Sequence, residues 1–357
     1  MAQYPGSENE RRIMPSELRQ AAAAIFAACG MGEADADLLA GALVAADQRG
    51  IHSHGTLRVP DYVEKLTRGG VDPRGRPRLA SESGAALVVD AGNAMGQVAA
   101  SFAMTAAIER ARTTRVAIAA VRNSNHCGAM DHWAAMALPH DMIGIATTNA
   151  LPTMAPWGGI DKIVGINPLA IAIPSRDEAP IVLDIAFGAT AHGKIRVYHQ
   201  KGEPIPEGWA FDATGRPTTD AAAALAGLIQ PIGGHKGVGL GIVMGILSAL
   251  LSGASYGTEL GNMVDGPRAG HDGHLFGAID IAAFQPVAAF KARVDDVSRQ
   301  IRESSRRADV DRLYPPGLLE AEFEQRYAVE GIPLNDETIA GIQSAARRVG
   351  ITTDVLA

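Results

Sequence analysis

The chain has 357 residues, of which 47% are hydrophobic and 20% charged, with a net charge of −7. That length exceeds one average domain and supplies a large core, while an acidic balance without a basic stripe argues against nucleic-acid binding. The two cysteines, Cys29 and Cys127, stand in no metal-type or redox spacing, so a reducing cytoplasm is the expected compartment.

Residues 1–12 are polar and mixed in charge, lack the apolar segment of a secretion signal, and read as a flexible arm. Pro15 and Ser16 open a helix that runs through alanine-rich sequence to Gly30, and a second helix spans 33–49. A polar loop leads to a short helical piece over 59–66, and the Gly/Pro/Arg-rich stretch 69–78 reads as extended loop. Beyond it, 86–90 is strand-like, 98–112 helical, and 116–121, 143–148, 169–174 and 181–185 are strands. The last three follow one another with no helical pattern between them, which argues against a simple βαβ repeat. From Gly237 to Thr258 there is no charge, and the run is long enough to cross a bilayer. Gly239, Gly241 and Gly245 interrupt it, and it reads as a buried helix of a soluble core. Helices over 284–306, 318–329 and 337–349 complete the chain. The predicted class is α/β: a mixed α/β, non-Rossmann lobe over 76–306 between helical segments at 13–75 and 307–357.

The chemistry concentrates in Arg49-Gly50-Ile51-His52-Ser53-His54-Gly55-Thr56-Leu57-Arg58. An imidazole at His54 moves protons near neutral pH, and the fork of Arg58 matches a carboxylate with two parallel hydrogen bonds. An acid/base beside a carboxylate clamp suits a 2-hydroxy or 2-keto acid. A polar loop whose histidines only cap helices is the bland reading of the same residues. His126, in Asn123-Ser124-Asn125-His126, follows the strand 116–121 at the end where α/β ligands bind. Gly233-Gly234-His235-Lys236-Gly237 sets a cation on a turn that opens a helix, where backbone N–H groups suit a phosphate. Asp184, in Leu183-Asp184-Ile185-Ala186, ends a strand with a carboxylate that can bind a ribose or an amide, or cap a turn.

Other patterns carry less. No Gly-x-Gly-x-x-Gly follows an early strand, so a Rossmann site is not expected. Gly253-Ala254-Ser255-Tyr256-Gly257 has the hydrolase spacing but a helix before it, and reads as a helix-ending loop. His271 and His274 lack an obvious third metal ligand, and His52 and His54 would point apart in an extended chain.

Taken in order, seven segments resemble the type-2 malate/L-lactate dehydrogenase family. They are 49–58, 123–126, Asn167-Pro168-Leu169 through Pro174, 183–186, Ile205-Pro206-Glu207-Gly208-Trp209-Ala210, 233–237 and Glu330-Gly331-Ile332-Pro333-Leu334. The resemblance covers nearly the whole chain beyond the first dozen residues. It implies a homodimer with a mixed-sheet cofactor lobe over 76–306, NAD or NADP as cofactor, and direct hydride transfer between a 2-hydroxy acid and its 2-keto acid, which needs no metal. By the same resemblance His54 is the proton donor with Ser53 its neighbour, and Arg58 binds the substrate carboxylate. His126 is catalytic in some branches and a cofactor contact in others. Asp184, Ile185, Ala186, His235 and Lys236 match cofactor contacts. Imine-reducing members carry an acidic residue where this chain has Lys194, which favours hydroxy-acid chemistry over reduction of a cyclic imino acid. A catalytically silent anion-binding member is the remaining alternative.

Overall fold

The computed structural model describes residues 10–352, apart from the side chains of Gln200 and Lys201. Strand β1 (Arg11–Ile13) leads into α1 (Pro15–Ala28), α2 (Glu33–Gln48), two 3-10 turns (His52–His54, Thr56–Arg58) and α3 (Val59–Arg68). Strands β2 (Arg78–Ser83) and β3 (Ala86–Asp90) form a hairpin. Helix α4 (Gly96–Thr114) crosses to β4 (Val116–Ser124), and α5 (Met130–Ala135) precedes β5 (Met142–Thr148). Strands β6 (Pro152–Met154) and β7 (Val164–Gly165) pair with each other before β8 (Leu169–Ile173) and β9 (Ile181–Ile185). Next come α6 (His192–Lys201), then β10 (Ala210–Phe211), β11 (Pro217–Thr218), α7 (Ala221–Ala226), β12 (Leu228–Ile229) and α8 (His235–Gly245). Strand β13 (Asp272–Asp280), α9 (Val287–Glu303), α10 (Leu318–Glu330), β14 (Ile332–Leu334) and α11 (Asp336–Arg348) follow.

The principal sheet has seven strands in the order β2-β3-β4-β13-β5-β8-β9. Only β3 and β4 are parallel, with α4 as their crossover, so the sheet is mixed, as expected. β5, β8 and β9 run antiparallel in succession, which is why no helix pattern separates them. The C-terminal ends of β3, β4, β5 and β9 therefore share one edge, where loops carrying chemistry collect. α4 presents Ala99, Ala103, Ala107 and Ala111, all fully buried, to this sheet. Alanines at four-residue spacing let the helix sit close to the strands.

The two ends of the chain pack together. β1 pairs antiparallel with β14, Arg11 opposite Leu334 and Ile13 opposite Ile332. Leu18, Ile25 and Phe26 form the inner stripe of α1 and share a core with Leu39, Leu43, Tyr62, Tyr327 and Ile342. α11 starts where the Asn335 carboxamide oxygen accepts the Thr338 N–H at 2.8 Å. Of the expected N-terminal arm, residues 1–9 lie outside the described residues, while Arg11 and Arg12 belong to β1.

One expectation needs correction. The uncharged run after Lys236 is not a buried helix: α8 and the π-helical turn that continues it, Ile246–Leu250, bury one face only. Gly237, Gly241 and Gly245 lie inward, while Leu240, Val243, Leu250 and Leu251 are 49%, 48%, 55% and 57% exposed. The inward face is glycine because the helix lies against backbone and polar atoms. A Cβ on Gly237 would stand 1.9 Å from the Ile232 carbonyl oxygen, and one on Gly245 2.5 Å from Asn167 Nδ2. Among the described residues no helix is long and apolar enough to cross a membrane.

Candidate active site

The 49–58 segment is shaped around one buried carboxylate. Asp47, 1% exposed at the end of α2, accepts the Thr56 N–H and the Thr56 hydroxyl, each at 2.7 Å. It also bonds His52 Nδ1 at 2.8 Å. Gly55 is required by this contact, since a Cβ there would fall 2.0 Å from Asp47 Oδ1. Burial pulls the His52 pKa down, but the Asp47 hydrogen bond and charge outweigh it and leave the ring above its ordinary value. His52 is thus tied to Asp47, and His54 is left to face elsewhere. Its Nδ1 lies 2.9 Å from Ser53 Oγ.

Arg58 is held by its own loop. Its Nε donates to the Ser53 carbonyl at 2.7 Å and its Nη1 to Asp61 at 3.1 Å. The remaining edge of the guanidinium points toward α6, where a Cβ on Gly193 would lie 3.8 Å from Nη2. Arg49, at the start of the motif, is an anchor: it binds Asp131 of α5 at 2.7 Å and Glu324 of α10 at 3.2 Å.

The loop after β4 brings His126 onto His54. The two imidazoles stack with centroids 5.6 Å apart and planes 17° from parallel. Asn125 fixes this loop, donating to Asn93 Oδ1 at 3.0 Å and to the Ala94 carbonyl at 2.9 Å while accepting the Gly270 N–H at 2.9 Å. Burial, and then the Arg58 charge, lower the His54 pKa to about 4, against a weaker pull from Asp131. Burial, His54 and Arg58 hold His126 well below the ordinary histidine range. Both rings are therefore neutral in the ligand-free protein at neutral pH. Sequence reasoning missed Tyr62 and Gln97. The Tyr62 hydroxyl lies 2.7 Å from His126 Nδ1, and Gln97 Nε2 donates to that hydroxyl at 3.0 Å. Tyr62 stands one helical turn beyond Arg58, and that spacing was the available signal.

The other candidates form a second group. Asp184 Oδ2 accepts the N–H groups of Met130 and Asp131 at 3.0 and 2.9 Å and so caps α5. Burial, with Asp131 close by, raises its pKa to about 7. Past Ile185 and Ala186 the chain runs beside the strand that enters α8. The Ile232 N–H donates to the Phe187 carbonyl at 3.0 Å, and Gly188 pairs with Pro231. Ile185 and Ala186 thereby neighbour the 233–236 turn. Gly233 and Gly234 have φ of +57° and +63°, and a Cβ on Gly233 would meet nothing within 4 Å. His235 and Lys236 are exposed on the first turn of α8, with the exposed Trp157 ring edge-on to His235 at 6.1 Å. An open glycine turn at a helix start, beside a lysine, suits a pyrophosphate.

The weaker motifs resolve as structure. His274 is fully buried between Ser124 Oγ at 2.8 Å and Thr148 Oγ1 at 2.7 Å, whereas His271 is exposed. Ser255 follows the π-helical turn, and its N–H donates to the His271 carbonyl, with no strand before it. No group of three metal-type side chains converges among the described residues.

Stacked histidines and a guanidinium, with an open glycine turn, thus sit on a mixed sheet. Residues 13–343 match the malate/L-lactate dehydrogenase family. The malate dehydrogenase of Pyrococcus abyssi is 36% identical over 355 residues, 96% of this chain and 96% of that protein. The ureidoglycolate dehydrogenase (NAD(+)) of Escherichia coli K12 is 33% identical over 309 residues, 86% of this chain and 88% of that one. The solved sulfolactate dehydrogenase of Methanocaldococcus jannaschii has a TM-score of 0.90 at 34% identity, covering 96% of this chain and 99% of that chain. The chain belongs to the malate/L-lactate dehydrogenase family, and with it to the nicotinamide-dependent oxidoreductases that act on 2-hydroxy acids.

Proposed function

We propose that Arg58, His54 and His126 bind and interconvert a 2-hydroxy acid and its 2-keto acid of the malate, lactate or sulfolactate type. The observation that carries this reading is the stacked His54–His126 pair beside a guanidinium with one edge still free. Arg58 takes the substrate carboxylate, sharing Nη1 with Asp61. His54, braced by Ser53, exchanges the proton of the C2 oxygen. Asp184, Ile185, Ala186, His235 and Lys236 hold NAD or NADP, with the pyrophosphate at the 233–236 turn. When bound, the nicotinamide accepts or supplies the hydride. Lys194 lies with its ammonium 4.8 Å over the Trp209 ring, which supports hydroxy-acid over imine chemistry at the position where the imine reductases place an acid.

The exposed apolar face of α8 we assign to a second copy of this chain. Beyond Lys236 at its first turn it offers no charge to select a different partner, and two such faces are complementary by virtue of being apolar. Two free thiols, Cys29 and Cys127, support a cytoplasmic setting.

The test is a pair of variants assayed on a 2-hydroxy-acid panel with each cofactor. His54→Ala should abolish turnover and keep the NAD(P)H dissociation constant. Lys236→Ala should weaken cofactor binding with an unchanged melt. Turnover within a few-fold of the parent in His54→Ala removes His54 from the chemistry. Sedimentation should give twice the chain mass, and a monomer would refute the assignment of the α8 face.

A further inference from the structure

The hydrogen bonds behind His126 run in one direction. Gln97 is fully buried, and its Nε2 donates to the Tyr62 oxygen at 3.0 Å. With that oxygen accepting, the Tyr62 hydrogen is directed at His126 Nδ1, 2.7 Å away. The Gly128 backbone N–H also points at Nδ1, at 3.4 Å. A backbone N–H can only donate, so Nδ1 must offer a lone pair.

The opposite arrangement turns the Gln97 amide over. His126 would then donate Nδ1–H to Tyr62, and Tyr62 would donate to Gln97 Oε1. Gln97 Oε1 has no partner in the present arrangement, and Nε2 would have none in the other, so the two are balanced at Gln97. They are not balanced at Gly128, where the reversed chain sets two N–H groups against each other. The forward direction wins on that contact.

Resting on the function proposed above, we infer that Gln97 and Tyr62 are positioning residues that fix His126 as the neutral Nε2–H tautomer. His126 then donates a hydrogen bond to the substrate's C2 oxygen, and His54 alone exchanges the proton. With Nδ1 taken and Nε2 protonated, His126 has no lone pair with which to act as base. His54 does: where Ser53 Oγ accepts from its Nδ1–H at 2.9 Å, the lone pair lies on Nε2. In oxidation the substrate O–H bond breaks and its proton passes to His54 Nε2. A bound nicotinamide would take the hydride from C2, while the His126 N–H bond stays intact. Reduction runs the same steps backward, with His126 polarising the carbonyl oxygen as a donor aimed at developing negative charge.

The test needs no substrate. Long-range proton–nitrogen NMR on ligand-free protein labelled with 15N-histidine, at pH 8, reads which nitrogen of His126 is protonated, and His126→Phe assigns the signal. The parent should show Nε2–H. Tyr62→Phe should shift the two nitrogens toward each other as the tautomers mix. Gln97→Glu should reverse the relay, because a carboxylate can only accept from Tyr62, whose oxygen then takes Nδ1–H. Tyr62→Phe should also lower kcat about tenfold, the scale of one lost orienting hydrogen bond, with cofactor affinity unchanged. An Nδ1–H tautomer in the parent overturns the relay, as does a tautomer that ignores both substitutions. A relay that behaves as described while His126→Phe keeps full turnover overturns the catalytic reading of His126 instead, so the two failures are distinguishable.

Discussion

Replacing Gly55 by alanine tests whether one buried carboxylate shapes the catalytic loop. The backbone angles at Gly55, φ −89° and ψ −152°, are open to any residue, so the obstacle is contact and not conformation. A Cβ would lie 2.0, 2.3 and 2.6 Å from the Oδ1, Cγ and Oδ2 atoms of Asp47, where ordinary contact begins at 3.4 Å. Asp47 must retreat by more than an ångström, which stretches its 2.7 Å bonds to Thr56 past hydrogen-bond range. Each bond to a charged acceptor contributes about 1.5–3 kcal/mol, and Thr56 is left with buried donors unpaired. The expected loss is about 3–5 kcal/mol, a large share of a total of roughly 5–15 kcal/mol. Urea unfolding followed by far-UV circular dichroism measures it. Asp47→Ala should cost a similar amount, and the double variant little more than either alone, because both remove the same bonds. A Gly55→Ala midpoint equal to the parent's, or single losses that add in the double variant, would refute the reasoning.

Two more outcomes follow from the same loop. Arg58→Lys keeps the charge but loses the Nε bond to the Ser53 carbonyl and the paired N–H edge, so KM should rise roughly 10- to 100-fold with a smaller fall in kcat; steady-state kinetics with an unaltered KM would free Arg58 from the carboxylate. The His54 pKa falls to about 4 in the folded protein from an ordinary 6.5, so between those values the unfolded chain holds a proton that the folded one does not. Stability due to a neutral His54 is therefore complete above pH 6.5 and lost as pH falls toward 4. The stability gap between the parent and His54→Phe should shift in the variant's favour across that window, and a gap independent of pH would show that His54 is not held neutral.

The sequence revealed many of the elements and left hidden what depends on the third dimension. Periodicity marked α1, α2, α4, α9 and the strands β3, β4, β5, β8 and β9 within a few residues, because each carries a one-sided or continuous apolar pattern, while β2 and the central β13 went unread. It misjudged α8, since a run without charge looks the same whether its outer face meets protein or solvent. Arg58, Ser53, His54 and His126 were legible because imidazole and guanidinium are scarce and chemically pointed. Tyr62 and Gln97 were not, because a tyrosine and a glutamine within helices look like packing until a histidine 64 positions away in sequence comes within 2.7 Å. Asp184 was read as a ligand contact or a cap, and its oxygen takes two N–H groups of α5.

The central place of β13 has a consequence for how the chain is made. β4 and β5 never touch as neighbours: β13 lies between them, and His274 meets Ser124 across 150 positions of sequence. A nascent chain thus carries two hydrophobic strands with open edges until more than three-quarters of these 357 residues have been synthesised. Such edges invite pairing with other chains, and contacts of this sequence separation close slowly. A fragment ending before Asp272 would expose both edges permanently. The protein should then depend on chaperones during synthesis far more than its finished fold suggests, and cuts near residue 260 should yield aggregates instead of a working smaller domain.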